Sequence, residues 1–321
     1  MIFKTIPQNG ASWLQPLLYT LEFDQQEEQV EVVIYDQLSS TQLGCVMLYN
    51  VTSVEIDIAP YIRSFSLGST LGKQSDVISR SEDACRVVLR AKGVESESRL
   101  FFRSDISGGA PRVLSTIIDN GTVAVGEVIR FTLWAEQSIS IVATKPSEGG
   151  IFAYSYNTNG VPCEVAMPIN VAKEGENIML RVTCDGVYLG LYKFRVVVRD
   201  DSAVRLAWVN SNGGMECYTF PQSVKRSIAV KSEDIESECG WYRRITSSTV
   251  VRRLKMIGAT QSEVDRVLEV LLSPKVYRCN GWESMAVQLL TDTLTYDDHG
   301  RLHRLEFDIN EQWKGGGQLW S

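Results

Sequence analysis

The two histidines of the chain, His299 and His303, are four residues apart, the spacing of a metal-binding pair on a helix. His299 follows Asp297 and Asp298 in a segment, 296–301, whose composition is typical of a turn between two strands. On a strand, residues four apart share a face but lie about 13 Å from each other, too far to share one ion. We therefore expect a hairpin turn with a solvent-facing histidine, a weak surface contact with a metal being the alternative. No metal site or other cofactor is predicted.

The segment from Gly68 to Gln74 resembles a phosphate-binding loop, because Gly72 and Lys73 follow a first glycine. A phosphate-binding loop needs four residues between the glycines, and a Ser or Thr after the lysine to bind magnesium. Here three residues separate the glycines and Gln74 follows the lysine. The segment is therefore expected to be a flexible loop. Because no serine-hydrolase or zinc-protease motif occurs either, the chain is predicted not to be an enzyme.

Two stretches, 241–244 and 252–255, together combine basic with aromatic residues, as some strands that bind nucleic acid do. Four acidic residues precede the first stretch: Glu233, Asp234, Glu236 and Glu238. Pairing between neighbouring strands explains this pattern more simply. The whole chain has 32 basic and 39 acidic residues, a net charge of -7, so it has no general excess of positive charge for a nucleic acid. Nucleic-acid binding is not expected.

The seven cysteines are irregularly spaced, and no Cys-x-x-Cys motif occurs. They are expected to be reduced and to pack as small apolar side chains, although a disulfide between Cys163 and Cys184 stays open. No stretch has the composition of a signal peptide or the length of an apolar membrane span, so synthesis in the cytoplasm is expected.

Short runs of Val, Ile, Thr, Tyr and Phe, separated by Gly, Asn, Asp and Ser, predict a mainly β protein. Composition shifts divide it into a first unit (1–106), a second unit (107–205) and a third unit (206–321), with consecutive antiparallel β-sandwich-like domains followed by an α+β domain. The second unit contains about seven strands, the size of an immunoglobulin-like sandwich. Within it, Asp185 and Gly186 predict a tight hairpin turn.

The third unit contains the one convincing helix pattern. A capping box from Thr260 to Glu263 begins it, and Ser273-Pro274 ends it. The apolar stripe expected to face a sheet consists of Val264, Val267, Leu268, Leu271 and Leu272.

Between the second and third units, one motif combines aromatic residues with a Gly-Gly turn. Its residues are Trp208, Asn210, Gly213, Gly214, Tyr218 and Phe220. The spacing predicts a strand, a turn in which glycine allows positive φ, and a second strand with Tyr218 and Phe220 on one face. An aromatic-rich hairpin that holds two domains together explains the pattern.

The same motif resembles one found in uncharacterised structural proteins of phages and prophages of Bacteroidetes. The segments 16–19 and 56–62 and the late helix-strand module agree with this resemblance. It implies a tail or baseplate component that binds other virion proteins or copies of itself, and that becomes associated with the virion after synthesis. Trp241, Trp282, Trp313 and Trp320 are the candidate interface anchors, since tryptophan is enriched at binding hot spots.

Three alternatives remain at this point. One is an enzyme whose site is assembled from residues distant in the sequence. Each of these tryptophans could belong to the core of its own domain, and for Trp241 and Trp282 the core is the favoured interpretation. The alternative function is a surface adhesin or carbohydrate-binding β-sandwich protein, located at the cell surface if a leader precedes the sequence.

Overall fold

The computed structural model describes residues 1–68, 77–116, 121–144, 151–169, 174–198, 202–220, 222–237, 240–259, 261–291 and 303–312. In these ranges it has two helices and 23 strands, numbered here in chain order, and nearly all strand pairs are antiparallel. The predicted mainly β fold is therefore confirmed. The histidine turn and most of the glycine-rich loop after Gly68 lie outside the described residues. No helix in the described part is long and apolar enough to span a membrane.

The first unit is built on one six-stranded sheet, sheet 1. Its strands are β1 (Ile2–Thr5), β2 (Leu18–Asp36), β3 (Thr41–Asp57), β5 (Cys85–Ala91), β6 (Val94–Glu95) and β7 (Arg99–Phe101). Helix α1 (Ala59–Gly68) follows β3 and has Pro60 near its start, where a proline costs no hydrogen bond. The Asp57 carboxylate accepts a hydrogen bond from the Ala59 backbone N–H at 3.0 Å and so caps this end of the helix.

The second unit is a sandwich of two sheets. Sheet 2 has the order β4 (Ile78–Arg80), β13 (Cys163–Pro168), β10 (Val128–Trp134), β8 (Arg112–Val113). Sheet 3 has the order β12 (Ile151–Asn157), β11 (Ser138–Thr144), β14 (Asn177–Cys184), β15 (Val187–Val197), β9 (Gly121–Ala124). Alternate residues of both sheets meet in one apolar core that includes Phe131, Ile141 and Leu180.

The strand order is that of an immunoglobulin-like sandwich. In such a fold the first, second, fifth and fourth strands form one sheet, and the third, sixth and seventh form the other. Here β8, β10 and β13 occupy the first, second and fifth positions of one sheet. The fourth position is occupied by β4, which belongs to the first unit by sequence. Its residues Ile78, Ser79 and Arg80 pair with Val165, Glu164 and Cys163. The first unit thus completes a sheet of the second, and the predicted domain limits at 106 and 205 stay predictions.

The third unit, taken in the structure from Val204 onward because that is where its first strand begins, contains two sheets and a helix. Sheet 4 has the order β17 (Met215–Phe220), β16 (Val204–Val209), β20 (Val276–Asn280), β21 (Glu283–Ala286). Sheet 5 has the order β18 (Gln222–Ser237), β19 (Gly240–Ala259), β23 (His303–Gln312), β22 (Gln288–Leu289). Their facing side chains and helix α2 (Gln261–Leu272) share one core.

The structure contains the predicted Asp185-Gly186 turn and helix α2. Asp185 and Gly186 both have positive φ, 50° and 76°, and close the hairpin between β14 and β15. Helix α2 ends before Ser273-Pro274 as predicted. Its apolar stripe was predicted with one error: Leu272 is 80% exposed, whereas Val270 is buried. The period of the helix places Val264, Val267 and Val270 toward the core.

Cys163 and Cys184 are both buried and free, so the structure does not contain the disulfide that the sequence left open. The other described cysteines are free as well, and Cys239 lies outside the described residues. Burial raises the pKa of both the Cys163 and Cys184 thiols to about 12, which keeps them protonated and unreactive at neutral pH.

Candidate functional site

The Gly-Gly motif forms the turn between β16 and β17, and Asn210 closes it. The Asn210 side-chain Oδ1 accepts hydrogen bonds from the backbone N–H groups of Asn212, at 2.9 Å, and Gly214, at 2.7 Å. The backbone N–H of Gly213 donates to the carbonyl of Asn210 at 3.0 Å. Gly213 has a φ of 77°, which favours glycine. Asn210 thus stabilises the turn through three hydrogen bonds, two to its side chain and one to its carbonyl.

The same turn lies against both other units. A Cβ on Gly214 would be 2.5 Å from the carbonyl oxygen of Leu114, in the second unit. A Cβ on Gly213 would be 2.8 Å from a ring carbon of Phe102, in the first. Only residues without a side chain fit this closely against the Leu114 backbone and the Phe102 ring, so the two glycines set the distance between the units.

Buried hydrogen bonds connect the turn to the second unit. The Asn210 Nδ2 donates to the carbonyl of Leu114 at 2.8 Å and to Glu216 Oε1 at 2.6 Å. The same carboxylate oxygen accepts from the backbone N–H and the hydroxyl of Thr116. Glu216 is 1% exposed, so its charge is held by several donors in place of water. No local pattern in the sequence indicates this role of Glu216.

A further pair of hydrogen bonds binds strand β17 to the sandwich. The Ser115 hydroxyl donates to the carbonyl of Met215 at 2.6 Å, and the backbone N–H of Met215 donates to Thr132 Oγ1 at 2.8 Å. Backbone groups of the third unit are therefore satisfied by side chains of the second. Buried backbone groups left unpaired would cost free energy, which makes these contacts specific for one orientation of the units.

The aromatic residues of the motif lie on the face of sheet 4 that packs against sheet 5. Trp208 and Phe220 are fully buried in the core of the third unit, with Tyr218 packed beside them. The rings of Phe220 and Phe307 meet edge to face with centroids 5.0 Å apart. Burial raises the pKa of Tyr218 to about 12. The motif therefore joins sheets 4 and 5 with its aromatic side chains and joins the second unit with its polar turn.

An ion pair lies next to the hairpin, at the same boundary. Arg205 donates to the Glu127 carboxylate at 3.4 Å, to the Thr219 hydroxyl at 2.8 Å and to the carbonyl of Val128 at 3.0 Å. The Thr219 hydroxyl in turn donates to Glu127 at 2.9 Å, as does the backbone N–H of Ala124. Both charged side chains are buried. The only sequence signal for this cluster was a charged residue within an apolar strand.

All three units meet at a third cluster. Lys275, of the third unit, forms an ion pair with Asp83, of the first, at 3.1 Å. The Ser81 hydroxyl, also of the first unit, donates to Glu164 of the second at 3.1 Å. A guanidinium nitrogen of Arg130 donates to the carbonyl of Trp282 at 3.4 Å, from the second unit to the third. We use the name polar junction for three clusters together: the hydrogen bonds around Asn210 and Glu216, the ion pair of Arg205 and Glu127, and the present cluster.

The Glu164 carboxyl makes the polar junction sensitive to pH. Burial, with the nearby negative charge of Asp83, raises its pKa from 4.5 to about 7. Since the folded protein then binds more protons than the unfolded chain, this contribution to stability is complete below pH 4.5 and is lost as the pH rises through 7.

We therefore expect Glu164→Gln to reduce the difference in unfolding free energy between pH 4.5 and pH 8 by on the order of 3 kcal/mol, the equivalent of the pKa shift. Urea titrations at the two pH values measure it. Glu174→Gln is the control, because Glu174 is exposed, and it should leave the difference unchanged. If the unfolding free energy of the wild-type protein rose from pH 4.5 to pH 8, and that of Glu164→Gln rose by the same amount, the raised pKa of Glu164 would be contradicted.

The four candidate tryptophans have different surroundings. Trp241 is 70% exposed, at the distal end of the hairpin formed by β18 and β19, so the interpretation of Trp241 as a core residue is wrong. Trp282 is half-buried, and its carbonyl contacts Arg130. Trp313 and Trp320 lie outside the described residues. Trp241 is thus the described candidate that is free to contact a partner.

The basic stretches of β19 face acidic residues of neighbouring strands. Arg244 and Arg243 are opposite Glu233 and Asp234 in the strand register. Arg252 and Arg253 form ion pairs with Glu311 and Asp308 of β23, both with shortest distances below 3 Å. Ion pairs within the sheet therefore account for the charges of Arg252 and Arg253. In the described part of the chain, no group of His, Cys, Asp and Glu side chains could hold a metal ion.

No protein-family model matches the chain, and no curated protein matches it. Among solved structures, the chain is similar to the crystal structure of chicken CNTN1 FN1-FN3 domains, with 8% sequence identity, 97% coverage of each chain and a TM-score of 0.22. At this TM-score the likeness supports neither a common fold nor a common function. The β-sandwich architecture rests on the strand order described above.

Proposed function

We propose that the protein is a non-enzymatic structural component, a prophage virion or tail-type protein that assembles through protein-protein contacts. The polar junction is the observation that carries this proposal. The chain buries Glu127, Arg205 and Glu216 to hold the second and third units in one orientation. Buried ion pairs contribute little net stability but favour one arrangement over others. A fixed arrangement of β units suits a subunit that must fit its neighbours.

Exposed apolar residues supply the surfaces for assembly. Trp241 stands on a two-stranded part of the β18–β19 hairpin, since β23 in the described residues pairs with β19 only from Thr249 onward. Two strands alone are marginally stable in water, so contact with a neighbouring subunit would stabilise this region. Tryptophan on such a projection is a suitable anchor for that contact.

The test is association of the intact protein with particles. After prophage induction in cells that carry the gene, mass spectrometry of purified particles should detect the protein. Trp241→Ser should lower its occupancy in the particles about 10-fold or more, the usual effect of removing a hot-spot tryptophan. Tyr188→Ser is the matched control, because Tyr188 is an aromatic residue 55% exposed on sheet 3, and it should have no effect. Absence of the wild-type protein from particles would reject the proposal.

A second candidate function, carbohydrate binding, is favoured by one groove on the sandwich. It has a volume of about 640 Å³ and is lined in part by Gln137, Ser140, Tyr156 and Asn157. Amide, hydroxyl and aromatic groups of this kind bind sugars through hydrogen bonds and ring contacts. Binding on a glycan array that is lost in Tyr156→Ala would favour this function, whereas no binding to any glycan would remove it.

A further inference from the structure

Strand β3 forms an edge of sheet 1, since in the described residues it pairs with β2 alone. Residues 41–54 of this strand include no Asp, Glu, Lys or Arg. Edge strands of proteins that stay monomeric are usually protected by charges, prolines or bulges. Strand β18, at the edge of sheet 5, follows that rule, with six charged residues between Gln222 and Ser237. Strand β3 lacks such charges from Thr41 to Val54.

The central part of β3 is regular. One extra residue, Leu43, shifts the register with β2 before Gly44, and Asn50 has a φ of 52°. Between these irregularities, the stretch from Gly44 to Tyr49 pairs with β2 residue by residue. Its length is that of an ordinary strand. It is therefore suited to accept another strand on its open side.

The side chains of this stretch alternate strictly between the two faces. Val46 and Leu48 pack into the core of the first unit. Cys45, Met47 and Tyr49 are exposed on the other face, Met47 at 39% and Tyr49 at 61%. We call these three residues the outer stripe. Because all three side chains project from the outer face beside the open edge, an added strand would extend both the sheet and the stripe.

We propose that β3 pairs with β3 of a second copy of this chain, antiparallel, around a two-fold axis at Met47. In this register Met47 is opposite Met47 of the second copy, and the small Cys45 is opposite the large Tyr49. On the inner face, Val46 is opposite Leu48. In this register the outer-face side chains of both copies lie on one face of the combined sheet and the inner-face side chains lie on the other, as a continuous sheet requires. The inference rests on the proposed function and identifies one of the partners.

The charges of the chain are compatible with a second copy as the occupant. The nearest acidic residue behind the stripe is Glu31, which is opposite Met47 on β2. In the dimer, Glu31 and its equivalent would be separated by three strand spacings, about 14 Å. This distance exceeds the screening length of about 8 Å at physiological salt, so repulsion between them is weak. No like charges meet across the new strand pair.

A disulfide across the axis tests the register. The probe is Met47→Cys in a full-length Cys45→Ser, Cys239→Ser background. Opposite residues of antiparallel strands have Cα atoms about 4.5–5.5 Å apart, within the range of a disulfide. Mild oxidation should therefore yield a covalent dimer. In the control, Thr41→Cys in the same background, the two thiols would be twelve residues apart, about 40 Å, and no covalent dimer should form.

The second measurement is sedimentation velocity from about 1 to 100 µM, which covers dimers of modest affinity. Met47→Lys and Tyr49→Lys should each raise the dimer dissociation constant at least ~10-fold, because every lysine occurs twice in the pair and lysine is poorly tolerated at an intermolecular strand contact. Both positions are exposed, so folding should be kept, and circular dichroism checks it. Phe152→Lys on β12 and Ile228→Lys on β18 are the controls, since both residues are exposed on other edge strands.

A dimer that is weakened by Phe152→Lys or Ile228→Lys and not by Met47→Lys would overturn the inference, as would equal cross-linking of the Met47→Cys and Thr41→Cys proteins. A protein found in particles but monomeric at all concentrations would overturn the inference and leave the proposed function standing. Absence from particles together with a dimer that cross-links through Met47→Cys would reject the virion assignment and support the inference.

Discussion

Replacing Gly214 by alanine should destabilise the protein by about 2–3 kcal/mol, the upper part of the range for overpacking of a tight contact. The added methyl group would lie 2.5 Å from the Leu114 carbonyl oxygen and 2.8 Å from the Ser115 backbone nitrogen. Both atoms are backbone, so neither can move aside as a flexible side chain would. The turn and the second unit must separate, and the hydrogen bonds around Asn210 and Glu216 lengthen with them.

Urea unfolding measures the loss, and hydrogen exchange locates it. We expect faster exchange in peptides that cover 112–116 and 215–220, on the two sides of the contact, with little change in the core of sheet 1. Gly109→Ala is the control: its φ is not positive, and the nearest atom to an added Cβ, in the Arg112 side chain, is 3.6 Å away. If the two variants had equal stability, Gly214 would not set the distance between the units.

The sequence predicted the local features of this region well. Periodicity, the Gly-Gly pair and the aromatic spacing together indicate a hairpin, and β16 and β17 form it with the expected turn. Tyr218 and Phe220 lie on one face, as an alternating strand requires. The sequence also predicted a mainly β chain, helix α2 and the Asp185-Gly186 turn. These features depend on residues that are close in sequence.

Features that depend on distant residues could not be predicted. Nothing in Ile78–Arg80 indicates that it completes a sheet whose next strand begins at Cys163. The role of Gly214 depends on Leu114, which is a hundred residues away, and its backbone conformation alone does not require glycine. Likewise, Glu127 and Arg205 had no local pattern, because each is satisfied by a partner in another unit. One signal was present: a charged residue within an apolar strand needs a buried partner.

For Trp241, the core position favoured from the sequence was wrong. A tryptophan among β-branched and aromatic residues is most often buried, which favours the core interpretation. Here the strand extends beyond the described pairing with β23, and the side chain is exposed. Strand length, which the sequence did not indicate, determined the outcome. The same cause makes Trp241 a candidate for contact with a neighbouring subunit.

The second large effect concerns the buried ion pair. Arg205→Met should lower the free energy of unfolding by about 3–5 kcal/mol, since it leaves the Glu127 carboxylate buried without its cation. Glu127 keeps hydrogen bonds from Thr219 and the Ala124 backbone N–H, but these donors are neutral. The Val128 carbonyl loses its bond to the guanidinium as well. Chemical unfolding at neutral pH measures the change.

The double variant Arg205→Met, Glu127→Met separates the two explanations for such a loss. If an unpaired buried charge is the cause, removing Glu127 as well should recover much of the stability, because apolar side chains of similar volume can replace a buried ion pair at little cost. If lost packing is the cause, the double variant should be less stable than either single one. Recovery of stability with a looser junction, seen as faster exchange at 215–220, would show that the ion pair fixes the orientation of the units more than it stabilises the fold.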